Sequence, residues 1–264
     1  MSEELTLSVE GGVAVLTLNR PERLNALTHD MLGALLTHLG QLAQDPAIGC
    51  VVLTGAGRAF CSGGDVRVQA AAVGKSAQSP EQRTDRLRAS MEASRLLRDM
   101  PKPTIAMVNG VAAGAGMSLA LACDLRVAGE ATRMTTAFAK VGLSGDYGGT
   151  YFLTRLVGPA KARELYLTAE ILDASRLLAL GLVTRVVPDA SLIGETMALA
   201  NQFANGPRVA YRYIKRNIRT AEEGSLSDTL DSEAFGMLRC RESADHAEAA
   251  AAFVEKRAPV FTGR

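Results

Sequence analysis

The sequence predicts an α/β fold with a helical C-terminal region. Apolar, strand-like runs alternate with helical segments as far as about residue 190. Beyond that point four helical segments follow one another without a strand signal. Two of the early strands run directly into glycine-rich turns, one of which opens a helix. We therefore expect a mixed core over residues 1–190 and a helical oligomerisation region over residues 191–264.

The first half of the chain begins with a predicted β-hairpin. Residues 5–9 and 13–18 alternate apolar and polar side chains on either side of Gly11-Gly12. Apolar positions with helical spacing then follow Thr28, a suitable N-cap residue, and Pro46 lies just beyond their end. Short apolar runs predict three more strands, at residues 50–54, 104–108 and 124–128. The polar segment 68–89 predicts a mobile stretch that becomes helical toward Arg98.

The second half of the chain is mostly helical in pattern. Residues 160–168 and 174–179 predict helices, and residues 182–187 predict a short strand that ends at Pro188. After Pro188 the pattern predicts four helices, at residues 192–204, 208–219, 226–239 and 244–255. We place the boundary between the two predicted regions where the mixed pattern of strands and helices gives way to helices alone.

The composition excludes several classes of protein. Hydrophobic residues make up 47% of the 264 residues, which is enough for a sizeable core. The net charge is +1, so no basic surplus favours a nucleic-acid partner. The N-terminal residues lack a signal-peptide pattern, and the longest apolar run, 117–123, is too short to span a bilayer. We expect a cytoplasmic protein without a membrane partner.

The four cysteines are widely spaced and form no CxxC motif. Such cysteines are typical of small buried apolar side chains in a reducing compartment. The cysteines are Cys50, Cys61, Cys123 and Cys240.

Two glycine-rich turns are the strongest indication of chemistry. Residues 55–65 follow the strand at 50–54, and residues 109–118 follow the strand at 104–108 and open a helix. Turns of this kind direct unpaired backbone N–H groups outward, and a helix start adds its positive dipole. Two such donors on one carbonyl oxygen form an oxyanion hole. The simpler alternative is that the glycines only permit tight turns.

Other catalytic motifs are missing from the sequence. Neither glycine turn has the third glycine of a dinucleotide fingerprint, and no phosphate-loop, HExxH or GxSxG pattern occurs. The three histidines are scattered, which favours structural roles and gives no metal site. A nucleophilic Ser118 lacks a nearby base, because the nearest downstream histidine, His246, lies in the helical tail.

Five ordered motifs resemble the crotonase (enoyl-CoA hydratase/isomerase) superfamily over nearly the whole chain. They are residues 19–27, residues 61–65, residues 109–116, Gly148-Gly149-Thr150 and residues 253–257. The resemblance implies a spiral of ββα units and a helical trimerisation region, and hence a homotrimer or a dimer of trimers. It also implies an acyl-CoA thioester as substrate. Coenzyme A then enters as part of the substrate, and no separate cofactor is expected.

The resemblance also implies roles for particular residues. The backbone N–H groups of Gly64 and Ala115 would form the oxyanion hole, and Asp65 would support the Gly64 turn. The residues expected to bind the coenzyme A part of the substrate are Arg23, Asn25, Ala26, Ser62 and Lys256. Arg67 and Lys75 are further candidates for phosphate contact.

The chain departs from the hydratase pattern at two positions. Relatives that hydrate enoyl-CoA use two glutamates, which would fall at Ser118 and Phe138 here. Neither residue is a strong base, so ordinary hydration is not expected. Asp146 instead resembles the proton-shuttling residue of isomerases, and we expect an apolar pocket to raise its pKa. Ser118, Phe138 and Tyr147 are expected to orient the substrate.

We therefore expect an acyl-CoA isomerase, resembling most the group that includes the ring-1,2-epoxyphenylacetyl-CoA isomerases. A hydratase that activates water through Asp146 and Ser118 is the second interpretation. A non-catalytic thioester-binding protein is the third. For Asp146 itself, the structural alternative is a turn or N-cap residue.

Overall fold

The structure is a computed structural model that describes residues 4–65 and 78–264. The strands in this part of the chain are β1 (Leu5–Glu10), β2 (Val13–Leu18), β3 (Cys50–Gly55), β4 (Ala59–Cys61), β5 (Thr104–Val108), β6 (Val111–Ala113), β7 (Leu125–Gly129), β8 (Arg133–Thr135), β9 (Leu172–Asp173) and β10 (Arg185–Val187). The α-helices are α1 (His29–Gln44), α2 (Pro80–Ser90), α3 (Glu92–Asp99), α4 (Ala115–Ala122), α5 (Gly149–Thr168), α6 (Ala174–Ala179), α7 (Leu192–Ala204), α8 (Arg208–Glu223), α9 (Leu226–Arg241) and α10 (Ala244–Glu255).

Two sheets organise these elements. The larger sheet has the order β1-β2-β3-β5-β7-β10, and all of its neighbours are parallel except β1 and β2. The smaller sheet has the order β4-β6-β8-β9. Each of β3, β5 and β7 is followed in the chain by a short strand of the smaller sheet, and β6 and β8 lead on to helices α4 and α5. The repeated unit is therefore ββα, which confirms the expected spiral.

The larger sheet is buried on both faces. Val51 and Leu53 belong to the main core, with α1 and α3 side chains such as Leu35 and Leu97. The alternate residue Val52 belongs to a second cluster that includes Leu199 of α7. Successive strand residues point to opposite faces, so a strand covered on both sides reads as a continuous apolar run. The helical region thus covers one face of the sheet.

Helix α1 has the limits that its sequence predicts. The Thr28 side chain accepts a hydrogen bond from the Met31 N–H at the N-terminus, which confirms the predicted cap. At the C-terminus the buried Lys102 ammonium donates to the carbonyl oxygens of Leu42 and Asp45. Both contacts satisfy backbone groups that a helix end leaves without partners.

Four strands and one helix start differ from the prediction. The strands β4, β6, β8 and β9 are two or three residues long, too short for an alternating pattern to show. Helix α5 begins at Gly149 rather than at residue 160, and it is interrupted at Gly158 (φ 75°, ψ 164°), just before Pro159. The expected helix at 160–168 is its second part. The strand expected over residues 182–187 is confined to Arg185–Val187.

The expected mobile segment falls partly outside the described residues, since its positions 68–77 are among those not described. Its remainder is more regular than expected. Ser79 and Gln82 form a capping box, in which each side chain bonds the other's backbone N–H, and helix α2 follows from Pro80.

The C-terminal helices are tied to the core by polar contacts. Arg98 of α3 forms ion pairs with Glu222 (2.7 Å) and Glu223 (2.9 Å) at the end of α8. Arg208 of α8 donates to the carbonyl oxygen of Pro46 (2.7 Å), in the loop after α1. Within residues 4–65 and 78–264 the last strand ends at Val187, close to the predicted boundary at residue 190. The division into two regions stays a prediction.

Three of the four cysteines are buried, as expected, but Cys240 is half-buried. It lies near the end of α9, in the region of the chain where many apolar side chains are exposed. In the part of the chain that the structure describes, no helix has the length and apolar character needed to cross a membrane.

Candidate active site

The two glycine-rich turns lie against each other. The strands that lead into them, β4 and β6, pair in parallel, with Cys61 beside Ala112. A Cβ placed on Gly63 would lie 2.8 Å from the Ala113 carbonyl oxygen and 3.4 Å from the Ala115 nitrogen. Gly63 also has a φ of +91°, which favours glycine. The absence of a side chain at Gly63 therefore lets the first turn touch the start of α4.

Helix α4 begins from an unusual backbone conformation. Its N-cap, Gly114, has φ 53° and ψ −123°, and the Gly114 N–H donates to the Thr135 carbonyl oxygen (3.0 Å) of strand β8. Two residues later, a Cβ on Gly116 would lie 2.7 Å from the Cys61 Cβ. The start of α4 is thus held between β4 and β8, which fixes the direction of its first N–H groups.

Two backbone N–H groups in these turns are available to a ligand. Over residues 4–65 and 78–264, no residue accepts a hydrogen bond from the Gly64 N–H or from the Ala115 N–H. The Ala115 N–H is one of the donors that a helix start leaves unpaired. Ala115 is buried, Gly64 is half-buried, and the adjoining Gly63 touches Ala113 and Ala115. Two neighbouring unpaired donors are what an oxyanion hole requires.

A preceding loop is bound to the first turn by hydrogen bonds. The fully buried Asn25 side chain accepts from the Arg20 N–H (2.9 Å) and donates to the carbonyl oxygens of Ala56 (2.9 Å) and Ala59 (2.7 Å). The Ser62 N–H donates to the Leu24 carbonyl oxygen (2.9 Å). Asn25 therefore holds this loop against the β3–β4 turn through backbone groups alone.

The other predicted binding residues of this loop lie beside the same turn. Arg23 has an exposed side chain, and its carbonyl oxygen accepts from the Ser62 hydroxyl (3.4 Å). Ala26 is buried, and its carbonyl oxygen accepts from the Arg20 guanidinium (2.8 Å). That guanidinium also pairs with Asp65 (3.6 Å). Arg20 thus joins the loop to the residue that follows Gly64.

Asp146 lies in a constrained loop just before α5. The backbone is left-handed at Gly145 (φ 124°), Tyr147 (φ 49°) and Gly148 (φ 73°), and the Asp146 carbonyl oxygen accepts from the Gly149 N–H (3.1 Å). Its side-chain atom Oδ1 is buried and has no hydrogen-bond partner in the described ranges. Burial raises the pKa of Asp146 from its ordinary value of 3.8 to about 6. A half-buried carboxyl group with one buried, unpaired oxygen is suited to accept a proton.

Asp146 acts electrostatically on the first glycine turn. Burial raises the pKa of the Cys61 thiol to about 12, and the negative charge of Asp146 adds to that increase. Cys61 is the last residue of β4, immediately before the turn that contains Gly64. Asp146 comes from a later part of the chain, yet it lies close enough to the first donor turn to act on Cys61.

The predicted acyl-binding residues Ser118, Phe138 and Tyr147 are all buried. The Ser118 hydroxyl donates to the Gly114 carbonyl oxygen (3.2 Å), one turn earlier in α4. Phe138 stacks on Tyr166, with ring centroids 6.1 Å apart and planes 4° apart. Burial raises the pKa of Tyr147 to about 12, and the Tyr147 carbonyl oxygen accepts from Ser94 (2.7 Å).

Gly114 borders a void that is too small to hold a water molecule. Its walls include Met117, Ser118, Phe138, Leu153 and Tyr166. Tyr166 is a residue that the sequence did not single out. It lies among ordinary helical residues of α5, and nothing in its local pattern distinguishes it from a core tyrosine.

Within a single chain, Lys256 does not lie beside the two glycine-rich turns. It is the C-cap of α10 (φ 55°) with an exposed side chain, and α10 packs against α9. Arg67 and Lys75 lie outside the described residues. In residues 4–65 and 78–264, no three His, Cys, Asp or Glu side chains come together as a metal site would require.

Comparisons with known proteins find similarity along nearly the whole length of the chain. A family model for enoyl-CoA hydratase/isomerase matches residues 8–264. A 1,2-epoxyphenylacetyl-CoA isomerase from Escherichia coli (strain K12) is 39% identical over 264 residues, which is 100% of both chains. A short-chain-enoyl-CoA hydratase from Clostridium acetobutylicum is 35% identical over 95% of this chain and 94% of that protein. A crystal structure of an enoyl-CoA hydratase from Polaromonas sp. JS666 has a TM-score of 0.91 at 35% identity, over 97% of this chain and 98% of that one.

Proposed function

Because the chain belongs to the enoyl-CoA hydratase/isomerase family of enzymes, we propose that it isomerises an acyl-CoA thioester. The single observation that supports this best is the buried, unpaired Oδ1 atom of the half-buried Asp146. It is one base close to the first glycine turn, and neither Ser118 nor Phe138 supplies a second carboxylate. One base is enough to move a double bond, whereas the hydration pattern uses two.

The proposed reaction begins with the thioester carbonyl oxygen between the Gly64 and Ala115 N–H groups. When a proton leaves the acyl chain beside the carbonyl, negative charge develops on that oxygen as an enolate forms. Donors already fixed in place stabilise this charge more than they stabilise the neutral substrate, which lowers the barrier. Each such donor contributes about 3 kcal/mol in comparable sites.

Asp146 then completes a balanced proton transfer. Its carboxylate takes the proton from one carbon, the electron pair of that C–H bond enters the enolate, and the double bond is displaced along the chain. The protonated Asp146 returns the proton to another carbon, and the carbonyl is restored. No atom is gained or lost. The raised pKa supports this role, because a carboxyl that titrates near 6 both accepts and returns a proton close to neutral pH.

Hydration of an enoyl-CoA is the second candidate function. The relative from Clostridium acetobutylicum is named a hydratase, and Ser118 and Phe138, the positions of the two glutamates in hydratases, border the same small void. Asp146 and Ser118 together would then activate the water. A non-catalytic acyl-CoA-binding protein is the third and weakest candidate.

The remaining parts of the proposal concern binding and assembly. Arg23, Asn25, Ala26 and Ser62 are proposed to cradle coenzyme A, which enters with the substrate and makes a separate cofactor unnecessary. Lys256 is proposed to reach the phosphates, from its own or a neighbouring subunit. The proposed setting is the cytoplasm, in the breakdown of aromatic or fatty acids. The name of the Escherichia coli relative refers to an aromatic acyl-CoA, which supports the aromatic alternative.

We also propose a homotrimer or a dimer of trimers. The support is the exposed apolar surface of the helical region, where Leu226, Phe253 and Val254 are 75%, 84% and 79% exposed. Apolar side chains that cluster at the surface of a monomer are typical of an interface. Light scattering after gel filtration tests this, and a stable monomer at micromolar concentration would contradict it.

The activity is tested with a 3-enoyl-CoA and a trans-2-enoyl-CoA in deuterated water. For an isomerase, the 3-enoyl ester gains the absorbance of a conjugated thioester and incorporates deuterium. Rapid loss of that absorbance from the 2-enoyl ester, with a 3-hydroxy product, would favour the hydratase instead. Asp146→Asn is expected to lower the isomerisation rate by about 100-fold or more.

The matched control is Asp30→Asn, an exposed carboxylate in the first turn of α1. This substitution also removes one negative charge, but at a position far from the candidate site, and the variant is expected to keep the wild-type rate. Unchanged turnover in Asp146→Asn would exclude the proton-shuttle role.

A further inference from the structure

The direction of the Asp146 carboxylate depends on its backbone. The Oδ1 atom has no hydrogen-bond partner in the described ranges, so no second group orients it. A proton-transfer group works only when its surroundings hold it in the productive geometry. The residues on either side of Asp146 must therefore supply that support.

The backbone around Asp146 is one that needs support. Tyr147 has a φ of 49°, and the flanking Gly145 and Gly148 also have left-handed φ values. Glycine adopts such values freely, but a bulky aromatic residue does so at a cost in energy. A strained residue of this kind persists only where neighbouring structure holds it, and such residues cluster at functional sites.

The contact that holds Tyr147 comes from helix α3. The Ser94 hydroxyl donates to the Tyr147 carbonyl oxygen (2.7 Å), and both residues are 4% exposed. The Tyr147 phenol forms a second hydrogen bond, with the side chain of Ser90 at the end of α2. Two serines on the α2–α3 segment thus bind the residue that follows Asp146.

Helix α3 is a firm base for the Ser94 contact. Ala93 and Leu97, on either side of Ser94 in the chain, are fully buried in the main core. Arg98, one turn after Ser94, forms the ion pairs with Glu222 and Glu223 that join α3 to α8. A hydroxyl on such a helix keeps its position more precisely than one on a loop.

We propose that Ser94 is a positioning residue for Asp146: it holds the Tyr147 carbonyl from α3 and so keeps the neighbouring carboxylate aimed at the acyl carbons. The inference rests on the proposed function, since it takes Asp146 to be the proton shuttle. Without the Ser94 bond the left-handed backbone at Tyr147 relaxes, and the carboxylate moves with it. A displacement of about 1 Å is enough to slow a reaction by about 100-fold.

The first test is the kinetics of Ser94→Ala with a 3-enoyl-CoA. We expect kcat to fall by about 10- to 100-fold, because the base is misplaced. KM should change by less than about twofold, because the oxyanion donors and the proposed coenzyme A loop lie on other elements. An unchanged kcat, or a loss that appears only in KM, would overturn the positioning role.

The matched control is Ser232→Ala in α9. Ser232 is also buried, and its hydroxyl forms a hydrogen bond of the same length (2.7 Å) with the Asn217 side chain of α8. Urea unfolding should show similar destabilisation of the two variants, since each loses one buried hydrogen bond. Ser232→Ala should nevertheless keep the wild-type kcat. An equal loss of kcat in both variants would mean that general destabilisation is the cause.

A double-mutant cycle tests whether Ser94 acts through Asp146. Asp146→Asn alone leaves a residual rate that is measured at high enzyme concentration. Adding Ser94→Ala should lower that residual rate by less than about twofold, because no base remains to be aimed. A loss as large as in the wild-type background would show that Ser94 serves another part of the site, and the proposal would be wrong.

Failure of the proposed function gives a different result from failure of the positioning role. If Asp146→Asn isomerises substrate at the full rate, the proton-shuttle role fails, and the role of Ser94 fails with it. If Asp146→Asn is slow while Ser94→Ala keeps the wild-type kcat, the proton shuttle stands and only the positioning role is lost.

Discussion

The Cα of Gly116 faces strand β4 so closely that a Cβ on it would lie 2.7 Å from the Cβ of Cys61. Gly116→Ala is therefore expected to push α4 away from β4, at a cost of about 3 kcal/mol in unfolding free energy. Because the Ala115 N–H moves with the helix, activity should fall as well. Urea unfolding and steady-state kinetics measure the two effects.

The control for this substitution is Gly33→Ala in α1. A Cβ on Gly33 meets no other atom within 4 Å. The change should raise stability by roughly 0.5–1 kcal/mol, because alanine loses less backbone entropy in a helix. Destabilisation by Gly33→Ala, or a harmless Gly116→Ala, would contradict the packing argument.

The pH dependence of turnover should follow the titration of Asp146. Its carboxylate is the proposed base, and burial raises its pKa to about 6. We expect kcat/KM for isomerisation to be constant above about pH 7 and to fall tenfold for each pH unit below about 6. A rate that stays constant down to pH 4.5 would mean that another group is the base.

The same burial should make Asp146 a cost to stability at neutral pH. The unfolded chain releases the Asp146 proton near pH 3.8, whereas the folded chain keeps it until about pH 6. Stability therefore decreases as pH rises through this window, and the full cost is present above it. Asp146→Asn should be more stable than wild type by about 1–3 kcal/mol at pH 7, and this advantage should vanish near pH 4.

Thermal or urea unfolding at both pH values measures the difference, with Asp30→Asn as the control for charge removal. An equal effect of Asp146→Asn at pH 4 and pH 7 would show that the carboxyl is not desolvated in the folded chain.

The Asn25 side chain should matter for both folding and coenzyme binding. Asn25→Ala removes the hydrogen bonds to Arg20, Ala56 and Ala59, and leaves buried backbone groups unpaired. We expect a loss of about 2–4 kcal/mol in unfolding free energy. Since the loop is the proposed coenzyme A cradle, KM should rise more than kcat falls.

Asn205→Ala provides the comparison, because the exposed Asn205 side chain makes a single local bond to the Asn201 carbonyl oxygen. It should change stability by less than about 0.5 kcal/mol. A similar effect of the two substitutions would show that the Asn25 contacts are not special.

The parts of the fold with strong periodicity were predictable from the sequence. The cap at Thr28, the buried strands β3 and β5 and the C-terminal helices all follow from patterns that extend over several residues. Strands such as β4 and β6 were not predictable, because three residues hold no period. They form because the larger sheet places their chain segments side by side, which is a consequence of tertiary structure.

The candidate site likewise has parts that the sequence predicts and parts that it does not. The two glycine turns were predictable because a glycine turn after an apolar strand has a local signature, and the resemblance then singled out Gly64 and Ala115 within them. Asp146 was found through resemblance and its motif, and the structure adds the buried, unpaired Oδ1 atom. Tyr166 was not singled out because its approach to Gly149 and Ser118 depends on how α5 packs on α4.

The distribution of the cysteines makes the protein suitable for selective labelling. Burial raises the pKa of Cys50, Cys61 and Cys123 to about 12, so their reactive thiolates are scarce at neutral pH. Only the half-buried Cys240, near the end of α9, is open to a maleimide dye. Comparing its labelling rate in dilute and concentrated solution would reveal whether a second copy of the chain shields α9.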